Sequence, residues 1–118
     1  MADSKDFWVY LNGEMVHGNN AVVPIYDRGL QWGDAVYDTL RTYEGVPFKL
    51  DYRTERFFHS LKYTRIDPGL TKEDLKRTML EVIEANRPLL GPGEDFTFNY
   101  YISRRSMALT DGLTAAGT

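Results

Sequence analysis

Residues 35–64 read AVYDTLRTYEGVPFKLDYRTERFFHSLKYT, and two different periodicities meet inside them. Ala35 to Tyr43 mixes β-branched and aromatic residues with polar ones, the composition of a half-buried strand. Glu44-Gly45 interrupts it and Val46 to Leu50 follows, so the spacing predicts an antiparallel pair. Pro47 lacks an N–H, which puts the returning strand at an edge or puts Pro47 near its start. Past Asp51 the period lengthens to that of a helix. Thr54, Phe57, Phe58 and Leu61 fall on one side of a helix expected over about 52–64, with the Asp51 carboxylate placed to cap its first turn.

On the amino-terminal side, Phe7 to His17 reads as a hairpin whose Asn12-Gly13 accepts the two positive φ angles of a type I′ turn. Gly18 to Gly33 is loop-like in its Gly, Asn and Pro content, with Ala21 to Val23 as a candidate short strand. On the other side Pro68-Gly69 breaks the chain, and Thr71 with Asp74 three residues later has capping-box spacing. Leu75, Met79, Val82, Ile83 and Asn86 then line one side of a second helix, which Arg87-Pro88 ends. Gly91-Pro92-Gly93 is a turn, and Phe96 to Arg104 alternates as a last, half-buried strand. Met1 to Asp6 is expected to be a disordered start, and 105–118 a linker or frayed tail. This order specifies one α+β domain over 7–104, a largely antiparallel sheet with two helices packed on one face.

With 42% hydrophobic and 14% aromatic residues, the 118-residue chain can bury a core. A net charge of -3, from 14 basic and 17 acidic residues spread along the chain, makes no basic stripe for nucleic acid or an anionic membrane. Small molecules and other proteins are the expected partners. The absence of cysteine excludes disulfides, a thiolate nucleophile and sulfur-ligated zinc. The polar start and the lack of a long apolar run point to a cytoplasmic protein without a membrane span. His17 and His59 sit on different elements, and Glu73, Asp74, Glu81 and Glu84 are dispersed over one helix, so neither set makes a metal site.

Three patches together resemble the N-terminal small domain of the class IV, fold-type IV aminotransferases that depend on pyridoxal phosphate, the branched-chain and D-amino-acid aminotransferase superfamily. The first is Tyr10-Leu-Asn-Gly-Glu-Met-Val. The second, VPIYDRGLQWGDAVYDTLR over 23–41, is similar to the family's Asp-Arg-Gly, aromatic-Gly-Asp and aromatic-acid-x-x-Arg pattern. The third is Phe48-Lys-Leu-Asp with Arg56-Phe57 at the spacing of Leu-x-x-His-x-x-Arg-Leu.

The resemblance implies that Arg56 binds the cofactor's phosphate, a task for which guanidinium offers a rigid fork of donors. It implies that Trp32, Tyr37 and Asn99 line the substrate side. A solvated arginine and ordinary aromatic core packing are the competing readings of Arg56 and of Trp32 and Tyr37. Tyr or Phe is usual at the Trp32 position, and indole can donate one hydrogen bond but cannot accept, so a larger, more apolar pocket is expected. Asn99 is neutral, which argues against a salt bridge to substrate from that strand. Asp27 and Arg41 are expected to form a buried or half-buried ion pair. Arg105 stands where the family has glycine, and there the resemblance stops.

The family's Schiff-base lysine matches none of Lys5, Lys49, Lys62, Lys72 or Lys76, so no catalytic residue is expected in this chain. The implied activity moves an amino group between an amine or amino acid and a 2-oxo acid. This piece is expected to be inactive without a missing large domain, and a homodimer is the expected assembly. A lyase of the aminodeoxychorismate type and a non-catalytic dimerisation or binding module are the alternatives.

Overall fold

The structure is a computed structural model that describes residues 7–104; the expected disordered start at 1–6 and tail at 105–118 lie outside the described residues. A hairpin of β1 (Trp8–Leu11) and β2 (Glu14–His17) opens the fold. Its turn residues Asn12 and Gly13 have φ of 50° and 92°, the pair of positive angles that the Asn-Gly sequence announces. A second, three-stranded antiparallel sheet follows, in the order β4 (Val46–Pro47), β3 (Ala35–Tyr43), β5 (Thr97–Ser103). The strands therefore form two sheets, where the sequence suggests one.

The α+β class and the two long helices agree with the sequence reading. Helix α2 (Leu50–Thr64) buries Thr54, Phe57 and Leu61, while Phe58 is half-buried. Helix α3 (Lys72–Asn86) buries Leu75, Met79, Val82, Ile83 and Asn86, the whole face that the spacing names. Its capping box is complete: the Asp74 N–H donates to Thr71 Oγ1 and the Thr71 N–H to Asp74 Oδ2, each at 3.1 Å. Leu40 and Tyr100 on the helix-side face of the larger sheet, with Phe96 just before β5, join Phe57, Leu61, Ile66, Leu75, Met79 and Ile83 in one core.

Three local expectations are corrected. Ala21 to Val23 forms no strand; the loop instead holds a five-residue helix, α1 (Arg28–Trp32), too short for periodicity to reveal. Strand β4 ends after Pro47, because Lys49 takes a left-handed φ of 55° that turns the chain straight into α2. Asp51 is consequently inside the first turn of α2 rather than at its cap, and it pairs with Lys76 of α3 at 3.1 Å.

Asn86 ties the hairpin to α3. Its Oδ1 accepts from the Trp8 N–H at 2.6 Å, and its Nδ2 donates to the carbonyls of Trp8 and Val82, both at 2.9 Å. The amide thus acts as a one-residue strand along β1. Asn86→Ala is expected to lower stability by about 1–3 kcal/mol, since it leaves both Trp8 backbone groups without their partner. Urea unfolding measures it; a midpoint equal to the wild type would mean that the hairpin is held by its apolar contacts alone.

Candidate functional site

Strand alternation sorts the residues of the larger sheet. Asp38 and Leu40 of β3 face the helices together with Phe98 and Tyr100 of β5, to which they are paired in register. Tyr37, Thr39 and Arg41 face outward with Tyr101, Asn99 and Thr97 opposite them. Tyr37 is 74% exposed and Tyr101 52%, so this outer face is an open aromatic surface. Thr39 Oγ1 donates to Asn99 Oδ1 at 2.9 Å, which occupies the amide's carbonyl and leaves its NH2 as the group available to a ligand.

Trp32 ends α1 just before β3 and is 76% exposed, which removes the core-packing reading for it. Asp27 and Arg41 form no ion pair. Asp27 is buried as the N-cap of α1, accepting from the N–H groups of Gly29 at 2.9 Å and Leu30 at 3.3 Å and from Ser103 Oγ at 2.6 Å. Arg41, on the outer face by alternation, lies with its guanidinium 4.8 Å from the Tyr43 ring centre. The ion pairs that do knit this region are Arg28 and Arg104 with Asp34, and Arg53 with Asp38.

Arg56 stands on the exposed side of α2, one turn after Arg53 and next to buried Phe57. Arg28, Arg53, Arg77, Arg87 and Arg104 each meet a carboxylate, whereas among the described residues the guanidinium groups of Arg41, Arg56 and Arg65 meet none. Arg53 falls at the histidine of the spacing Leu-x-x-His-x-x-Arg-Leu, and periodicity gives no warning of its role. Its guanidinium holds Asp38 Oδ1 at 3.2 Å, and the Tyr100 hydroxyl donates to Asp38 Oδ2 at 3.4 Å. Burial pushes the Tyr100 phenol well above its ordinary pKa and the Asp38 carboxylate adds to this, while Arg53 and Arg56 pull the other way. Both guanidinium groups therefore project their fields toward the same buried phenol.

The structure brings Tyr37 and Asn99 to one face, with Trp32 on the segment leading into it. Arg56 lies on the helix layer behind that sheet, on a different element from all three. Two surface hollows lie elsewhere, along α3 at Glu73, Leu80 and Glu84 and beside the β3–β4 turn at Glu44, Arg87 and Asp95. The donor chemistry fits a phosphate at Arg56, a guanidinium whose N–H fork is unused among the described residues. Among the described residues no lysine stands on the outer sheet face: Lys72 and Lys76 are in ion pairs with Glu55 and Asp51, Lys62 is on α2, and Lys49 lies over the Phe48 and Tyr52 rings.

The domain thus carries, among the described residues, a guanidinium without a carboxylate on its helix layer and an aromatic outer sheet face, anion-binding and apolar chemistry on opposite sides of the sheet. The family model of amino-transferase class IV matches residues 35–115. A putative branched-chain-amino-acid aminotransferase of Methanocaldococcus jannaschii is 40% identical over 78 residues, which are 66% of this chain and 27% of that protein. An aminodeoxychorismate lyase of Bacillus subtilis is 32% identical over 78 residues, again 66% of this chain and 27% of its length. The crystal structure of the branched-chain aminotransferase from the thermophilic archaeon Thermoproteus uzoniensis with norvaline superposes with a TM-score of 0.72. It is 28% identical and is matched over 87% of this chain and 35% of its own. The chain belongs to the class IV aminotransferase family. It spans about a quarter of the length of these two curated relatives.

Proposed function

We propose that this chain is the small domain of a pyridoxal phosphate enzyme that moves an amino group between an amine or amino acid and a 2-oxo acid. The observation that carries the proposal is the Arg56 guanidinium, exposed and, among the described residues, without a carboxylate partner, on a helix whose other side is locked into the core. The cofactor, when bound, supplies the electron sink that labilises a substrate α-proton. In this reading Arg56 holds the phosphate, and Arg53, neutralised by Asp38, keeps the adjoining turn rigid without competing for the anion. Trp32 and Tyr37 wall the substrate side. Asn99 offers its NH2 to a neutral or anionic acceptor without a formal charge.

The covalent anchoring lysine is proposed to stand outside these residues, in a large domain, with a homodimer in the cytoplasm as the working assembly. Among the described residues, no helix is long and apolar enough to cross a membrane. Borohydride reduction in the presence of pyridoxal phosphate tests the division of labour. The complete enzyme is expected to gain one stoichiometric adduct at a lysine beyond this chain, and the 118-residue chain none at a unique position. A site-specific adduct on Lys5, Lys49, Lys62, Lys72 or Lys76 would overturn the proposal.

The second reading, elimination of the aminodeoxychorismate lyase type, is supported by the likeness to the Bacillus subtilis lyase. Product analysis on the complete enzyme separates the two, transamination against elimination.

A further inference from the structure

We infer that Ser103 and Arg104, at the end of β5, are positioning residues that hold the Trp32 indole in a fixed, outward orientation as a wall of the substrate site. The inference rests on the reading of Trp32 as a pocket residue. It starts from a mismatch: an indole that is 76% exposed gains little from packing, and a helix of five residues is not stable by itself. Both ends of α1 are nevertheless tied to the same strand end. At the first end, Ser103 Oγ donates to Asp27 Oδ1 at 2.6 Å, while Asp27 Oδ2 accepts the first N–H groups of α1. At the other end, the Arg104 N–H donates to the Asp34 carbonyl and Arg104 Nε to Asp34 Oδ2, both at 2.9 Å. Arg28 reaches the same Asp34 oxygen from within α1 at 3.2 Å.

The guanidinium of Arg104 does a second thing with its remaining nitrogens. Nη2 donates to the Thr64 carbonyl at 2.7 Å and Nη1 to the Arg65 carbonyl at 3.0 Å, closing the C-terminal end of α2. One side chain thus fixes the end of the Trp32 segment relative to the helix that carries Arg56. The seat is close as well as bonded: a Cβ on Gly29 would fall 2.8 Å from Ser103 Cβ and 3.2 Å from Ala35 Cβ, so α1 rests against the sheet without room for a side chain. Pinning a short element whose end residue points outward is the arrangement for presenting a rigid aromatic contact, because the ordering is complete before a ligand arrives. The flat apolar face and single N–H donor of indole suit a substrate with a large apolar side chain.

Trp8→Phe leaves Trp32 as the sole indole of the 118-residue chain, since the chain has two tryptophans. In that background, time-resolved anisotropy of Trp32 and hydrogen exchange of the Gly29, Leu30 and Gly33 amides are compared in Ser103→Ala, Arg104→Gln and, as a distant control, Lys72→Gln. The expected result is a larger fast-depolarising component and exchange about tenfold faster at these amides, the effect of one net hydrogen bond, in both β5 variants. The control and the Leu61 and Ile83 amides should keep their rates. Unchanged indole motion in Ser103→Ala, which removes only a hydroxyl and is informative even where Arg104→Gln does not fold, overturns the inference. So does uniform acceleration at every amide, the mark of a merely destabilised fold. In the complete enzyme, Trp32→Phe should change kcat/KM selectivity between small and large amino substrates. Unaltered selectivity with an ordered indole would remove the pocket reading and not the tether, whereas a mobile indole in the parent chain would remove the tether itself.

Discussion

In the complete enzyme, Arg56→Ala is expected to weaken pyridoxal phosphate binding about ten- to a hundredfold, with the fold intact. The size follows from the loss of a charge-assisted contact to phosphate, about 1.5–3 kcal/mol. The intact fold follows from geometry. Arg56 is on the exposed side of α2 and gives the core nothing that Phe57 and Leu61 do not already supply. Equilibrium dialysis, or cofactor absorbance after gel filtration, reads the first half, and thermal unfolding of the cofactor-free protein reads the second. Cofactor retention equal to the wild type would take Arg56 out of the site and with it the proposal built on it. Arg53→Ala provides a contrast, since it should strand the Asp38 carboxylate and so reduce stability as well as binding.

The neighbouring residue should behave in the opposite way. Phe57 is 1% exposed and stacks edge-on against Tyr100 with ring centres 4.8 Å apart. Phe57→Ala removes that ring from the centre of the core and is expected to cost about 3–5 kcal/mol. Against a total stability of about 5–15 kcal/mol for a domain, much of the 118-residue chain would be near its unfolding midpoint. The Tm should fall by more than about 10 °C. The loss extends beyond the cavity, because Tyr100 donates to Asp38 and Asp38 holds Arg53, so a displaced Tyr100 ring loosens the polar cluster below Arg56. A Tm within a few degrees of the parent would mean that α2 is not anchored by Phe57, and the opposition between adjacent residues 56 and 57 would dissolve.

That opposition was legible in the sequence because helical periodicity separates Phe57 and Leu61 from Arg56 without any structure. The capping box at Thr71 and Asp74, the Asn-Gly hairpin and the buried face of α3 were legible for the same reason: each is specified by residues within a few positions of one another. What escaped was decided at long range. The Arg28–Trp32 helix depends on Ser103 and Arg104, more than seventy residues away, as partners for Asp27 and Asp34. Nothing local distinguishes it from a loop. The Asp27–Arg41 pair failed because Asp27 is consumed at an N-cap and Arg41 faces outward by strand alternation. Asp51 was misplaced because a lysine takes the left-handed turn that starts α2, an angle that sequence patterns assign to glycine or asparagine. Tyr37 and Asn99 sharing the outer face was implicit in the β3–β5 register, which only the pairing of distant strands reveals.

The two ends of α2 carry a further consequence. Lys49 and Arg65 bracket the helix with φ of 55° and 58°, and neither caps it with its own side chain; backbone shape marks where it begins, and at its end the Arg104 guanidinium joins that shape by holding the Thr64 and Arg65 carbonyls. Over evolutionary drift those two positions should therefore exchange freely among lysine, arginine, asparagine and glycine, while valine, isoleucine and proline are shut out by sterics. The reach of the guanidinium between them would survive such turnover, because its distance from either boundary is counted in helical turns and not in the chemistry of the boundary residues.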